Sequence, residues 1–178
     1  MVIKTGLMTL AEFLALPEEK PYLELIDGEV CQKAVGKKDH ANAQFKLGFL
    51  LALAERTRRG KVYTELGLPF EGFMPPNHRV PDLSYFLPGR DFPGPYPDPA
   101  EPPDLVAEVR SEGQTIASLE RRLAFLRERG VRVTLLIDTG QRCVHVNDGG
   151  RESKSNDGET VTLEALDGFS FDVAELFV

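Results

Sequence analysis

The sequence predicts an α/β fold built on a mixed β-sheet flanked by helices. Three observations carry this reading. A strand-like run ending at Arg110, a helical pattern from Thr115 to Arg129 and an apolar run from Val131 to Ile137 follow one another as in a right-handed crossover between parallel strands. Asp27-Gly28 stands between two short runs of strand character, the strongest short hairpin signal. The apolar stretch from about His40 to Arg58 has the length of a long helix. At 178 residues the chain suits one domain, 1–178, with a sizeable core. No internal repeat, heptad series or linker divides it.

In chain order, Thr9-Leu10-Ala11-Glu12 is a capping box opening a short helix that ends before Pro17. Tyr22 to Ile26 alternates as a strand, and Glu29-Val30-Cys31 returns as its partner. Asp39 is placed to cap the long helix and Gly60 to stop it. Phe45, Leu47, Phe49, Leu50, Leu51 and Leu53 make that helix so apolar that it is expected to be largely buried. Strands are expected at 61–66 and 68–73, then a strand carrying Asp82. The seven prolines between 88 and 103 allow neither helix nor ladder, so this is a long surface loop. Ile116, Leu119, Leu123 and Leu126 form the apolar stripe of the next helix, which Gly130 ends. Residues 143–146 read as a hairpin return, 147–158 as a polar, Gly-rich mobile loop, 161–163 as a short strand and 172–177 as a helical turn.

The chemistry gathers between Arg79 and Arg110. In Leu105-Val106-Ala107-Glu108-Val109-Arg110, residues 105, 107 and 109 share one face of a strand, so Glu108 and Arg110 share the other, roughly 6–7 Å apart. An acid in so apolar a strand is costly unless it is paired or ligates a metal. Asp82 follows Pro81 on an earlier strand. Two carboxylates with a cation two residues on suit a hard divalent ion beside a phosphodiester. By itself Asp82 reads equally as an ordinary strand-end residue, Glu24 as a solvated charge, and His40 as a helix-start residue. Arg121, Arg122, Arg127, Arg129 and Arg132 read as a solvated face, with Arg122 at the border of the apolar stripe. Phosphate-cradling Gly-rich motifs, His-Glu-x-x-His and Gly-x-Ser-x-Gly are absent from the sequence.

Six segments in order carry a resemblance: Tyr22-Leu-Glu24-Leu-Ile-Asp-Gly28-Glu; His40 opening a helix; Arg79-Val-Pro-Asp82; Pro103-Asp-Leu-Val-Ala-Glu108-Val-Arg-Ser111; Gly130-Val131 before a strand ending Ile137-Asp138; and Leu166-Asp-Gly-Phe169 with Leu176-Phe177. Over residues 8–178 the chain resembles the Uma family of bacterial "putative restriction endonucleases", within the PD-(D/E)XK nuclease superfamily. The resemblance implies a restriction-endonuclease-like core with a Mg²⁺ (or Mn²⁺) site. It makes Asp82 and Glu108 the metal ligands, Glu24 a helping acid and His40 a site-lining residue. Arg110 stands where the superfamily has lysine two residues after the Glu, and Arg122 where family members often place a lysine on the following helix. Arginine keeps its proton and cannot act as a base, but it can neutralise a phosphate under attack.

The expected function is therefore metal-dependent hydrolysis of DNA phosphodiesters, with Glu24, His40, Asp82, Glu108, Arg110 and Arg122 as the catalytic set and a homodimer as the working form. A rival is a degenerate, non-catalytic binding module that keeps the fold, favoured by the missing lysines and the net charge of −7. An unrelated α/β enzyme with a carboxylate site is a third reading. Cys31 and Cys143 have no metal-type spacing and read as free thiols in a reducing compartment. The run from Leu7 to Leu16 is too short to span a bilayer and lacks a cleavage site, so a cytoplasmic protein without membrane attachment is expected.

Overall fold

The computed structural model describes residues 7–58, 60–90, 92–98 and 100–178. Helix α1 (Leu10–Leu14) precedes strands β1 (Leu23–Ile26) and β2 (Glu29–Gln32), helix α2 (Lys38–Arg58), and strands β3 (Lys61–Thr64), β4 (Leu68–Phe70), β5 (Asn77–Arg79) and β6 (Leu83–Phe86). Then come β7 (Leu105–Val109), α3 (Ile116–Arg127), β8 (Val133–Asp138), β9 (Cys143–Asp148), β10 (Arg151–Asn156), β11 (Thr160–Leu163) and β12 (Phe169–Asp172), the last followed by a 3₁₀ turn at Val173–Leu176. The junction after α2, where Gly60 was expected to act as a stop, includes position 59, which lies outside the described residues, as do 91 and 99 of the proline-rich loop.

The main sheet runs β10-β9-β8-β7-β6-β3, and a smaller one runs β2-β1-β5-β4. The β7–β8 pair is parallel and the remaining pairs are antiparallel, so the sheet is mixed as the crossover pattern predicts. Alternation along β7 sorts the two faces. Leu105, Ala107 and Val109 pack with Ala43, Leu47 and Leu51 of α2 and with the hairpin β11–β12. Val106 packs with Leu119, Leu123 and Leu126 of α3 on the opposite face. Glu108 shares that second face, so the α3 side is where its charge must be met.

Several expectations are corrected. Asp82 does not lie within one continuous strand. The chain leaves the smaller sheet after Arg79 and enters the main sheet at Leu83, and Asp82 sits at the step between them. Strands β3 and β4 likewise belong to different sheets and are shorter than expected. Asp39 lies in the first turn of α2, which starts at Lys38. Helix α2 is not largely buried: Ala43, Leu47 and Leu51 are, but Phe45, Phe49 and Leu53 are 66%, 55% and 48% exposed. Each set repeats every four residues and the two sets are two residues apart, which puts them on opposite sides of the helix. Residues 147–158 are not a mobile loop. They form the end of β9, a turn at Gly149 (φ 58°) and Gly150 (φ 91°), and the whole of β10. Both turn glycines take the positive φ that tight hairpins need.

His78 on β5 makes a prediction. It is 4% exposed, with the Phe13 ring at 5.0 Å and the Tyr96 ring at 5.4 Å. Burial pushes its pKa from 6.5 down to about 4, against a weaker pull from Glu24. Above pH 6.5 both folded and unfolded chains carry it neutral. Below that pH the unfolded chain gains a proton that the folded one refuses, so stability falls until about pH 4. Urea unfolding at pH 7.5 and pH 4.5 should show His78→Phe losing less stability than wild type, by on the order of 2–3 kcal/mol. Equal losses would rule out this role.

Candidate active site

The hairpin β1–β2, the step at Asp82, the end of β7, the start of α2 and the middle of α3 meet around a cavity of about 180 Å³. Glu24, Lys33, His40, Asp82, Glu108, Ser111 and Arg122 line it. The structure thus brings together five of the six residues singled out in the sequence. Arg110 is elsewhere. Its Nη1 donates to both carboxylate oxygens of Asp138, at 3.1 and 3.0 Å, and its Nε to the Gln114 carbonyl at 3.0 Å. It stands one step beyond the last β7–β8 pair, opposite Asp138, and that carboxylate holds its guanidinium away from the cavity.

Arg122 replaces it as the central cation. Its Nη1 donates to Glu24 Oε2 at 2.6 Å, its Nη2 to Glu24 Oε1 and to the Val80 carbonyl (3.0 Å), and its Nε to Glu108 Oε1. One guanidinium therefore clamps two carboxylates that arrive from different sheets. Glu24 is fixed further by the Val80 amide, which donates to Oε1 at 2.6 Å. The expectation of a solvated arginine face on α3 fails at this residue. Arg129 also departs from it, since its guanidinium lies 3.4 Å from the Phe125 ring centroid.

Asp82 is held from several sides. Its Oδ2 accepts from the Val109 amide at 2.7 Å, and its own carbonyl accepts from Gln44 Nε2 at 2.7 Å. Its Oδ1 meets Lys33 Nζ at 2.6 Å and His40 Nε2 at 3.5 Å. His40 is oriented by Ser111, whose Oγ is 3.0 Å from Nδ1. Gly36 lies flat against the imidazole, where a Cβ would come within 2.2 Å of Cδ2.

Lys33 is the residue that sequence reasoning missed. The two-residue hairpin turn sets Ile26 opposite Glu29 and Glu24 opposite Cys31. The Lys33 amide then donates to the Tyr22 carbonyl at 2.8 Å. That register puts Lys33 two residues beyond Cys31 on the Glu24 face, so counting from Asp27-Gly28 could have found it. Its Nζ also pairs with Glu65 at 3.2 Å.

Burial and charge set the protonation states. Burial pushes the Glu108 carboxyl up to about 7; the Arg122 guanidinium opposes this, and the Asp82 and Glu24 charges add to it. Burial works against the charged form of Arg122, but Glu108 and Glu24 more than reverse it, so the guanidinium stays cationic. The two shifts agree once Arg122 is seen to serve two acids, with Glu24 taking the bidentate contact. Asp82 is driven up by burial and down, by more, by His40 and Lys33, so its carboxyl lies below the usual range. Lys33 and His40 are lowered by burial and raised further by Asp82, which favours their cationic forms.

The donor set is hard oxygen, as Mg²⁺ requires, with Asp82 Oδ1 facing the Lys33 and His40 side chains. Among the described residues, no group of three or more His, Cys, Asp and Glu side chains is arranged as a ready metal site. Asp82 and Glu108 are the two carboxylates that would hold such an ion, with water filling its other positions.

Comparison with known proteins places this chain in a family. Among the described residues no helix is long and apolar enough to cross a membrane. No curated protein matches. A crystal structure of a "putative nuclease belonging to DUF820" from Anabaena variabilis ATCC 29413 superposes with a TM-score of 0.81, covering 96% of this chain and 97% of that one at 23% identity, a likeness of fold. The model of the Uma2 family, described as "Putative restriction endonuclease", matches residues 10–174. The chain is a member of the Uma2 family of "putative restriction endonucleases".

Proposed function

We propose that the protein is a metal-dependent endonuclease that hydrolyses DNA phosphodiesters in the carboxylate cavity. The observation that carries this reading is the convergence of Glu24, Asp82 and Glu108, from three separate segments, on one cavity that also holds Lys33 and Arg122. Mg²⁺ or Mn²⁺ held by Asp82 and Glu108 would supply Lewis-acid polarisation of the phosphodiester and a bound water of lowered pKa. The chain's own residues do the rest. Lys33 and Arg122 present fixed positive charge where the phosphoryl oxygens gain negative charge. Glu24 holds Arg122 in place through its paired contact. His40, oriented by Ser111, is the group placed to take a proton at Nε2 when it is neutral. Plasmid nicking titrated with Mg²⁺ and Mn²⁺ tests the proposal. Ion-dependent conversion of supercoiled to open-circular DNA is expected, and no conversion with either ion overturns it.

Lys33→Ala should slow cleavage by roughly 10²–10³, the scale for losing one preorganised charge stabiliser. Arg110→Ala should leave the rate nearly unchanged and lower stability instead, because buried Asp138 loses its cation and is left with the Gly140 and Gln141 amides. Rates and urea midpoints of the two variants check both statements. A slow, normally stable Arg110→Ala would restore Arg110 to the site.

The working form is a homodimer paired through α2, because cutting both strands takes two sites. The stacked Phe45 and Phe49 rings, 6.3 Å apart, and Leu53 supply an apolar stripe outside the core. Sedimentation should give a dimer for wild type and a monomer for Phe49→Glu; a wild-type monomer at micromolar concentration counts against it. A second reading, a non-cleaving nucleic-acid-binding module, is favoured by Arg122 and Lys33 already neutralising the carboxylates. It predicts that Mn²⁺ changes DNA affinity and leaves DNA intact.

A further inference from the structure

A second cavity, of about 350 Å³, lies beside the candidate active site and is built differently. Its walls carry three half-buried tyrosines, Tyr22, Tyr63 and Tyr96, together with His78. Among the described residues, its charged lining consists of Glu18, Glu19 and Glu65. A phosphate or carboxylate would meet the like charges of Glu18 and Glu19 there, with Glu65 already paired to Lys33. A flat, neutral, polarizable ring would meet aromatic faces on which to stack.

His78 adds a specific feature. Although it is 4% exposed, neither ring nitrogen has a hydrogen-bond partner among the described residues. A neutral imidazole offers one donor and one acceptor. Leaving both unmade in the interior is costly. Heterocyclic bases carry donors and acceptors of the same kind along their edges.

The position of the cavity matters as much as its lining. Val80 lines it, while the Val80 amide donates to Glu24 Oε1 and the Val80 carbonyl accepts from Arg122. Glu65 lines it too, and pairs with Lys33, which contacts Asp82. A further hollow of about 400 Å³ shares Tyr22 and Glu65 with this cavity, and Lys33 and Ala34 with the carboxylate cavity. Lys20 stands on that hollow, with its Nζ 5.5 Å from the Tyr22 ring centroid. Two lysines therefore flank the route between an anion site and an aromatic site.

We infer that the tyrosine-lined cavity receives a nucleobase, from the nucleotide whose phosphodiester occupies the carboxylate cavity. The inference rests on the phosphodiester reading of the neighbouring site. Its consequence is that the substrate at this point is single-stranded or has its base extruded, because a paired base is stacked and out of reach.

The test uses a single-stranded oligonucleotide carrying 2-aminopurine, without divalent metal, and free deoxyadenosine as a second probe. The chain contains no Trp, so the 2-aminopurine signal is free of indole fluorescence. Wild type should quench the probe on binding and should bind an abasic strand of the same length about tenfold more weakly. Tyr22→Leu and Tyr96→Leu should each weaken binding of the base-bearing strand about tenfold and leave the abasic strand unaffected. Tyr22→Phe, which keeps the ring, should restore the response. Deoxyadenosine binding that is lost in the same variants shows that the cavity recognises the base itself; binding only within a strand assigns the affinity to the backbone and overturns the inference. Tetramethylammonium bound in place of deoxyadenosine would mark a cation cage and overturn it as well. Equal affinity of wild type and both Leu variants for the base-bearing strand also overturns it. DNA nicking with no tyrosine dependence sinks this inference and leaves the nuclease reading standing. Tyrosine-dependent quenching without nicking does the reverse.

Discussion

Arg122→Ala should cost about 3–5 kcal/mol of folding stability, the range for removing one partner from a buried charge cluster. The guanidinium is the shared counter-ion of Glu24 and Glu108, which are both 3% exposed. Without it both buried carboxylates lose their shared counter-ion. It also supplies the hydrogen bond to the Val80 carbonyl, which ties α3 to the step between the sheets. In urea the midpoint should fall by at least about 1 M, given the usual slope for a protein of this size. Adding Glu24→Gln and Glu108→Gln should recover much of the loss, because neutral amides can be buried without a counter-ion. An Arg122→Ala midpoint equal to that of wild type would show that the clamp does not hold the fold.

Asp82→Asn should fold and lose cleavage by about 10³ or more, the scale of several kcal/mol of transition-state charge stabilisation. Asparagine keeps an oxygen that can accept from the Val109 amide, the contact Asp82 Oδ2 makes at 2.7 Å. It removes the negative charge that Lys33 and His40 face. Nicking lost at a temperature where circular dichroism shows the variant still folded separates a chemical role from a structural one. Asp82→Ala, which discards both, should also lose stability. Cleavage by Asp82→Asn within a few-fold of wild type would remove Asp82 from the metal site.

Much of this arrangement is legible in the sequence where local pattern and burial coincide. Glu108 is conspicuous because four apolar neighbours in β7 make its charge costly, and alternation alone assigns its face. The capping box at Thr9, the hairpin at Asp27-Gly28 and the crossover through α3 all follow from short-range chemistry. What escapes is what depends on where the chain changes sheet. The step at Asp82 leaves no mark in Arg79-Val80-Pro81-Asp82, which reads as one continued strand. Arg110 goes astray for another reason: Asp138, opposite it on β8, takes its guanidinium. Lys33 needed the hairpin register carried past the last ladder pair. Helix α2 misleads because its two apolar stripes look like one all-round apolar helix until the packing shows that only one meets the core.

Strand β10 has a consequence for solubility. It forms the outer rim of the main sheet and pairs only with β9 among the described strands, and its sequence is Arg-Glu-Ser-Lys-Ser-Asn. A rim of unpaired amides and carbonyls invites a foreign strand to add to it and start a growing aggregate. Charged side chains on both faces make such addition unfavourable, since an incoming strand would have to strip water from them. The polarity that disguises β10 as a loop is therefore a guard against edge-to-edge assembly, and replacing Glu152 and Lys154 with valine should turn this rim into a nucleus for aggregation.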